Sequence, residues 1–391
     1  MRPSRTAVTF RPPIMEAQRW MQGVSFPPDR PLINVSQAAP VAAPPEALRA
    51  EMARIVQHEI SAHLYGPDLG LPALRQEIAR QWSEFYGGSV ASRQVAITSG
   101  CNQAFCAACA AITAEGDELL LPTPWYFNHK MWCDMSGLSA VPLPTAADLI
   151  PDPDTARELI TERTRAIVLV TPNNPGGVEY PADTIRAFFE LARDHGIHLI
   201  VDETYRDFHG QSGAPHDLFS DPDWPKTLIQ LYSFSKAYRL TGHRVGAMIT
   251  SEALLSEVEK FIDTVTICPN QLGQRAALWG MQNLGQWLAG ERAEILDRRA
   301  AIAEGFSRLE AKGWTLLGLG AYFAYVEHPF DMPSDKLAPI LVERAGILLL
   351  PGTMFQPEGS TDGARQLRIA FANIDRAGIT ALLQRLENLA L

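Results

Sequence analysis

The chain reads as an α/β protein: a mostly parallel central sheet with helices on both faces, plus a smaller α+β domain. Three observations predict this. Between about residues 95 and 250, apolar runs of strand length alternate with helical patterns, the order expected when a parallel sheet is built from crossover units. Several of those runs (166–170, 198–201 and 227–232) are mostly apolar instead of alternating, as strands covered on both faces are. At 391 residues the chain is too long for one compact core of ordinary size, so two domains are expected. The division reads as an N-terminal arm over 1–45 that packs with the small domain, a large domain over 46–275 and a small domain over 276–391.

Composition narrows the function classes. An apolar fraction of 46% and a charged fraction of 20% are those of a globular protein in water. The net charge of −10, with no basic stripe, argues against a nucleic-acid or anionic-membrane partner. The basic opening residues 1–5 are not followed by an apolar stretch of signal-peptide length, and no window is long enough to span a bilayer. A cytoplasmic enzyme or binding protein is therefore expected. The five cysteines include Cys106 and Cys109 at the spacing of a metal or redox pair. No second pair exists, and the alanine-rich run around them reads as a buried helix carrying small thiols, so no metal site is expected.

Taken in order, the arm is rich in proline and arginine, with one short helix over 15–21 and a strand-like run at 32–37. Helical patterns cover 45–58 and 71–85, the second with Pro72 in its first turn. Between them Tyr65 sits on a turn made by Gly66, Pro67 and Gly70, where a packing role is the plain reading. Residues 95–104 read as strand, tight turn and helix. The free N–H groups at that helix start make Gly100, Cys101 and Asn102 an anion-cradle candidate. The strand at 117–122 ends in the aromatic cluster Trp125, Tyr126 and Phe127, and that at 166–170 ends in Asn173, Asn174 and Pro175. A helix over 182–195 leads to the strand 198–201, which ends in Asp202 and Tyr205. Beyond residue 269 a long helical stretch runs to about 309. Strands at 314–317, 321–326, 347–350 and 366–371 and a helix over 374–389 then make the small domain.

The chemistry centres on residues 232–246. Ser233, Ser235 and Lys236 follow the strand 227–232, and Arg244 stands eight residues beyond the lysine. A desolvated lysine is a nucleophile toward aldehydes, and two hydroxyls with an arginine make a phosphate socket. Together they suit an aldehyde that carries a phosphate, namely pyridoxal phosphate. Parallel sheets gather ligand sites at the C-terminal ends of their strands, so Ser99, Tyr126, Asn174, Asp202, Tyr205 and Lys236 are expected to converge. Arg368 lies inside an otherwise apolar strand and must meet a carboxylate, either one of the protein, the default, or one of a ligand.

The ordered set resembles the class I/II aminotransferases, which are fold type I pyridoxal-phosphate enzymes: Tyr65 with Gly66, Gly70 and Arg75, the turn at 99–103, Asn173 to Gly177, Asp202 with Tyr205, Ser233 to Lys236 with Arg244, and Arg368. The resemblance implies roles. Lys236 would carry the cofactor and move the substrate's α-proton, and Asp202 would pair with the pyridine nitrogen. Asn174 and Tyr205 would bond the ring's phenolic oxygen, and Tyr126 would stack on its face. Ser233, Ser235, Arg244 and the amides at Gly100, Cys101 and Asn102 would hold the phosphate, joined by Tyr65 from the partner subunit of a homodimer. Arg368 would clamp the substrate α-carboxylate, with Asn174 and Ala38 nearby. Ala38 stands where many relatives have glycine, and Gly176 stands where many have serine or threonine.

The implied function is amino transfer between an α-amino acid and an α-keto acid. Rivals on the same fold are a β-lyase of cysteine-type substrates, a racemase and a carbon–carbon lyase; a non-catalytic regulatory protein is the rival from another class. Residues 261–274, expected at the dimer interface, contain no lysine or arginine, whereas Trp20, Trp125, Tyr126 and Tyr322 are available near the mouth. A neutral or aromatic donor side chain is therefore expected over aspartate, unless Arg5 or Arg11 of the arm supplies a cation.

Overall fold

The structure is a computed structural model that describes residues 4–390, so the opening residues 1–3 of the basic start lie outside the described residues. In chain order the strands are β1 (Ile33–Asn34), β2 (Val95–Thr98), β3 (Glu118–Thr123), β4 (Ser139–Pro144), β5 (Thr164–Val170), β6 (His198–Asp202), β7 (Leu228–Ser233), β8 (Gly246–Ile249), β9 (Thr315–Gly320), β10 (Phe323–Glu327), β11 (Ile347–Leu348), β12 (Leu350–Pro351) and β13 (Gln366–Ala370). A seven-stranded sheet has the order β2-β8-β7-β6-β5-β3-β4. All its strands run one way except β8, which is antiparallel to both neighbours.

The sheet is covered on both faces, which explains its unbroken apolar strands. Along β5, Ile167 and Leu169 enter a core shared with Trp82, Phe188 and Phe189 of the helices Pro72–Tyr86 and Ala182–Asp194. Ala166 and Val168 face a second core with Phe105, Val258 and Ile262 of the helices Cys101–Ile112 and Glu252–Thr266. Each large side chain so buried contributes about 1.5–3 kcal/mol by removing apolar surface from water. Cys109 lies buried on the helix Cys101–Ile112 and Cys106 is half-buried, both as free thiols.

A four-stranded antiparallel sheet, β12-β13-β10-β9, packs on its own core with Trp314, Phe323, Leu337 and Leu382. The arm joins this unit: β1 pairs in parallel with β11, and the Ala370 amide donates to the Val35 carbonyl at 2.8 Å.

Some elements differ from the sequence reading. The run 347–350 is two short strands, because β11 pairs with the arm and β12 with β13. The long helical stretch is divided into Gln271–Asn283, Gly285–Gly305 and Ser307–Glu310. Strand β4 carries Pro142 and Pro144, which lack an N–H, and it is tolerated as the sheet's edge. Strands β4 and β8 and the helices Phe127–Ser136, Pro153–Leu159, Glu252–Thr266 and Ser334–Ile340 had no counterpart in that reading.

Candidate active site

Five strands of the large sheet deliver the site at their ends. A cavity of about 160 Å³ lies there, bounded by Cys101 and Asn102 after β2, Tyr126 after β3, Asn174 after β5, Asp202, Thr204 and Tyr205 at the end of β6, and Ser233 at the end of β7 with Ser235 and Lys236 after it, Arg244 closing the rim. Of the six residues expected to converge, only Ser99 is not on this wall; its amide is held by the Gln103 side chain at 2.6 Å. Tyr65 is also outside, with 79% of its surface exposed. Its neighbour Gly66 donates to Cys268 Sγ at 3.4 Å, which sets the turn that carries the tyrosine beside the cation-free stretch 261–274.

Local geometry explains each position. The helix Phe234–Ala237 starts where the Ser233 hydroxyl accepts the Ser235 amide at 3.2 Å, which turns Lys236 back toward the strand ends. Gly100 adopts φ +88°, and a Cβ there would overlap the Arg244 guanidinium, so glycine admits the arginine beside the free N–H groups of the helix Cys101–Ile112. Arg244 itself is held by the Thr241 carbonyl at 3.0 Å and lies 3.4 Å from Ser235 Oγ.

Charge is unbalanced in this cavity. Burial, then the nearby Arg244 and Arg368 cations, bring the Lys236 amine down to about 8, so a substantial fraction is neutral and nucleophilic near pH 8. Lys236 Nζ lies 5.7 Å from the Tyr205 ring centre. Burial drives the Tyr205 phenol well above its ordinary value, which keeps it a hydrogen donor at neutral pH. Asp202 is the one carboxylate on the wall. Burial alone would raise its pKa, but His129 Nε2 at 3.4 Å and the Thr204 amide at 3.0 Å on Oδ1 hold it below the usual range. His129 is itself sandwiched, stacked 3.9 Å from Phe105 and edge-on to Tyr126 at 5.0 Å. His129 and Thr204 were not singled out from the sequence; His129 lies on the unforeseen helix Phe127–Ser136, where nothing local marks it as facing Asp202.

Arg368 lies behind Asn174, only 2% exposed. Its Nη1 donates to Asn174 Oδ1 at 2.9 Å, its Nη2 to the Ser36 carbonyl, and its Nε has no partner. The rings of Phe323 and Phe355 flank the guanidinium at 5.2 and 5.1 Å. The default expectation of a protein carboxylate for Arg368 is thus not met: among the described residues it forms no ion pair, and neither do Lys236 and Arg244. Ala38 is buried in the core that also holds Tyr205 and Tyr322, while the arm's direct contact with Arg368 is made by Ser36. Tyr126 Oη lies 3.3 Å from Asn102 Oδ1, which ties the ring to the start of the helix Cys101–Ile112.

The donor set fits pyridoxal phosphate. A helix start with two hydroxyls and an arginine matches a phosphate, a carboxylate kept ionised matches a protonated pyridine nitrogen, and a low-pKa lysine matches an aldehyde. Fold and site together define a fold type I pyridoxal-phosphate enzyme. Residues 30–386 match the family model of aminotransferase class I and II, and the chain belongs to that family, whose members use pyridoxal phosphate to transfer amino groups. It is an aminotransferase.

Among its relatives are a probable aspartate/prephenate aminotransferase of Thermus aquaticus, 29% identical over 75% of this chain and 77% of that protein, and an aromatic aminotransferase of Arabidopsis thaliana, 28% identical over 88% and 86%. Among solved structures, YbdL of Escherichia coli, with a methionine aminotransferase function, superposes with a TM-score of 0.89 at 22% identity over the whole of both chains. The aspartate aminotransferase of Thermus thermophilus with maleate gives 0.87 at 23% over 98% and 99%; at these identities both show the fold alone.

Proposed function

We propose that the protein transfers an amino group from a neutral or aromatic α-amino acid to an α-keto acid at the cavity around Lys236. The observation that carries this is the charge arrangement: among the described residues Lys236, Arg244 and Arg368 are cations without carboxylate partners, and Asp202 alone opposes them on the cavity wall. Such a site attracts two anionic groups, a phosphate at Arg244 and a carboxylate at Arg368. When bound, the cofactor supplies an aldehyde to the amine and a ring that accepts an electron pair.

The side chains do the rest. Ser233, Ser235, Arg244 and the amides of Gly100, Cys101 and Asn102 hold the phosphate. Asp202, kept anionic by His129, holds the proton on the ring nitrogen. Tyr205 and Asn174 would donate to the phenolic oxygen, and Tyr126 would cover the ring face. Arg368 receives the α-carboxylate beside Asn174 and the arm at Ser36 and Ala38. That places the substrate Cα for Lys236 Nζ, which removes its proton and returns it on the far side of the transfer.

Two finer readings complete the proposal. The active unit is a cytoplasmic homodimer in which Tyr65 reaches the partner's phosphate; its exposure in one chain, and five unpaired cysteines of the kind a reducing compartment keeps, support this. The division into arm 1–45, large domain 46–275 and small domain 276–391 is supported by the separate cores of the two sheets. No helix among the described residues is long and apolar enough to cross a membrane.

The donor preference rests on the arm. Arg5 pairs with Glu115 at 2.8 Å and Arg11 lies 3.7 Å from Glu16, so both arginines considered as a source of the cation already have a carboxylate. A donor side-chain carboxylate desolvated without a cation to meet it costs several kcal/mol. The relatives are named for aspartate, prephenate and aromatic substrates, so the choice is open to measurement. The test is kcat/KM for aspartate, phenylalanine, methionine and alanine with one keto acceptor. Phenylalanine or methionine is expected to lead, and an aspartate advantage of tenfold (about 1.4 kcal/mol) refutes the preference.

A further inference from the structure

Lys236 lies between Phe234 and Ala237 of the large sheet's core, and Arg368 between Leu367 and Ile369 of the small sheet's core, so their spacing depends on whatever joins the two. Arg239 stands three residues beyond Lys236 with φ +56°, a left-handed backbone that an L-residue keeps only when its surroundings hold it. Its side chain is engaged on three sides. Nε and Nη2 grip both oxygens of Glu291 at 2.7–2.9 Å, the guanidinium lies 5.4 Å from the Trp287 ring centre, and Nη1 reaches the Ala43 carbonyl at 3.3 Å.

Each partner leads toward Arg368. Glu291 lies on the helix Gly285–Gly305, one turn after Trp287, which packs on the core of the large sheet, and one turn before Ile295, which is buried in the core of the small sheet. Ala43 ends the arm segment whose Gln37 and Ala39 carbonyls accept from Asn373 Nδ2 at 3.2 and 2.7 Å, and whose Ser36 carbonyl accepts from Arg368 itself. Both members of the ion pair are three-quarters covered (25% and 24% exposed), and the contact is bidentate, which sets it apart from a screened surface pair.

We infer that Arg239 is a positioning residue: clasped to Glu291 and Ala43, it fixes the spacing between the Lys236 amine and the Arg368 guanidinium. The inference rests on Arg368 receiving the substrate carboxylate. Lys236 can reach a substrate Cα only if the carboxylate is anchored at the matching distance, and a shift of about 1 Å can cost on the order of a hundredfold. An amine without a carboxylate does not use the anchor and does not sense the spacing.

The test uses holoenzyme and two variants. Arg239→Gly retains the left-handed backbone while removing the clasp, and Glu291→Gln removes it from the other side. For the best amino-acid donor and for its decarboxylated amine, single-turnover kcat/KM is measured. Binding of the corresponding deaminated carboxylate is followed by calorimetry. Each variant is expected to lose tenfold or more with the amino acid and less than twofold with the amine, and to bind the carboxylate about tenfold more weakly (about 1.4 kcal/mol). The double variant is expected to be no worse than the worse single, as for two halves of one contact. Equal losses on both substrates, additive losses in the double variant, or unchanged kinetics overturn the inference. Arg368→Met is run beside them. If it separates the two substrates and Arg239→Gly does not, only the positioning role falls; if Arg368→Met itself fails to separate them, both readings fall. Should Arg239→Gly fail to fold, Glu291→Gln carries the same comparison.

Discussion

Replacing Arg368 with methionine separates a substrate clamp from a structural arginine, because the two roles predict opposite balances of stability and activity. Burial has pushed this guanidinium down to about 10 from an ordinary value of 12.5. The folded state therefore holds the proton less tightly than the unfolded chain, a cost present at neutral pH and relieved only as pH rises above about 10. At 1.36 kcal/mol per pH unit the cost is about 3 kcal/mol. Methionine removes it but leaves Asn174 Oδ1 and the Ser36 carbonyl without their donor, at about 1 kcal/mol each. The two effects nearly cancel, so Tm by calorimetry is expected to stay within a few degrees of the parent. Activity should not be spared. Losing one member of a buried charge-assisted pair costs about 2–5 kcal/mol, or roughly 30-fold to several thousandfold in kcat/KM for α-amino acids. Amines without a carboxylate should lose far less. A Tm lower by ten degrees together with equal losses on both substrate types would show that Arg368 is there for the fold.

The remaining predictions concern the other wall of the cavity. Lys236→Ala is expected to abolish turnover and the borohydride-reducible visible absorbance; a variant that keeps that absorbance removes Lys236 from its role. Asp202→Ala should still bind cofactor, seen as absorbance retained after gel filtration, but lose on the order of a thousandfold in kcat, the scale of one preorganised electrostatic contact. His129→Phe preserves the stack on Phe105 and removes the partner that holds Asp202 low. Without it the carboxylate takes up a proton at higher pH, so the acid limb of the kcat/KM profile should move upward. A stationary limb would show that Asp202 does not depend on His129.

The site was legible in the sequence because a parallel sheet puts its ligand residues at one kind of place, directly after an apolar run. Asp202 and Ser233 end strands that are largely apolar, Asn174 and Lys236 follow such strands within a few residues, and their convergence needed only the topology. What escaped depends on contacts between distant segments. His129 meets Asp202 across 73 residues from a helix whose mixture of Trp132, Cys133 and His129 shows no clean apolar stripe. Strand β8 is four residues long and starts two residues after Arg244, so it merged with the motif before it. The default partner for Arg368 failed for a related reason: spacing marks a buried arginine but not whether the fold supplies its anion.

The pairing of β1 with β11 links residue 33 to residue 347, and Ser36 to Arg368, across more than 300 positions of chain. Every strand of the large sheet lies between residues 95 and 249, so that sheet can assemble while the ribosome is still making the rest. The carboxylate end of the site cannot. Its arginine is synthesised more than 300 residues after the carbonyl that orients it, tethered by a loop whose closure entropy must be met before the contact forms. A nascent chain thus acquires its cofactor cradle well before it can hold a substrate, and ligands added during refolding should find the phosphate end of the cavity first.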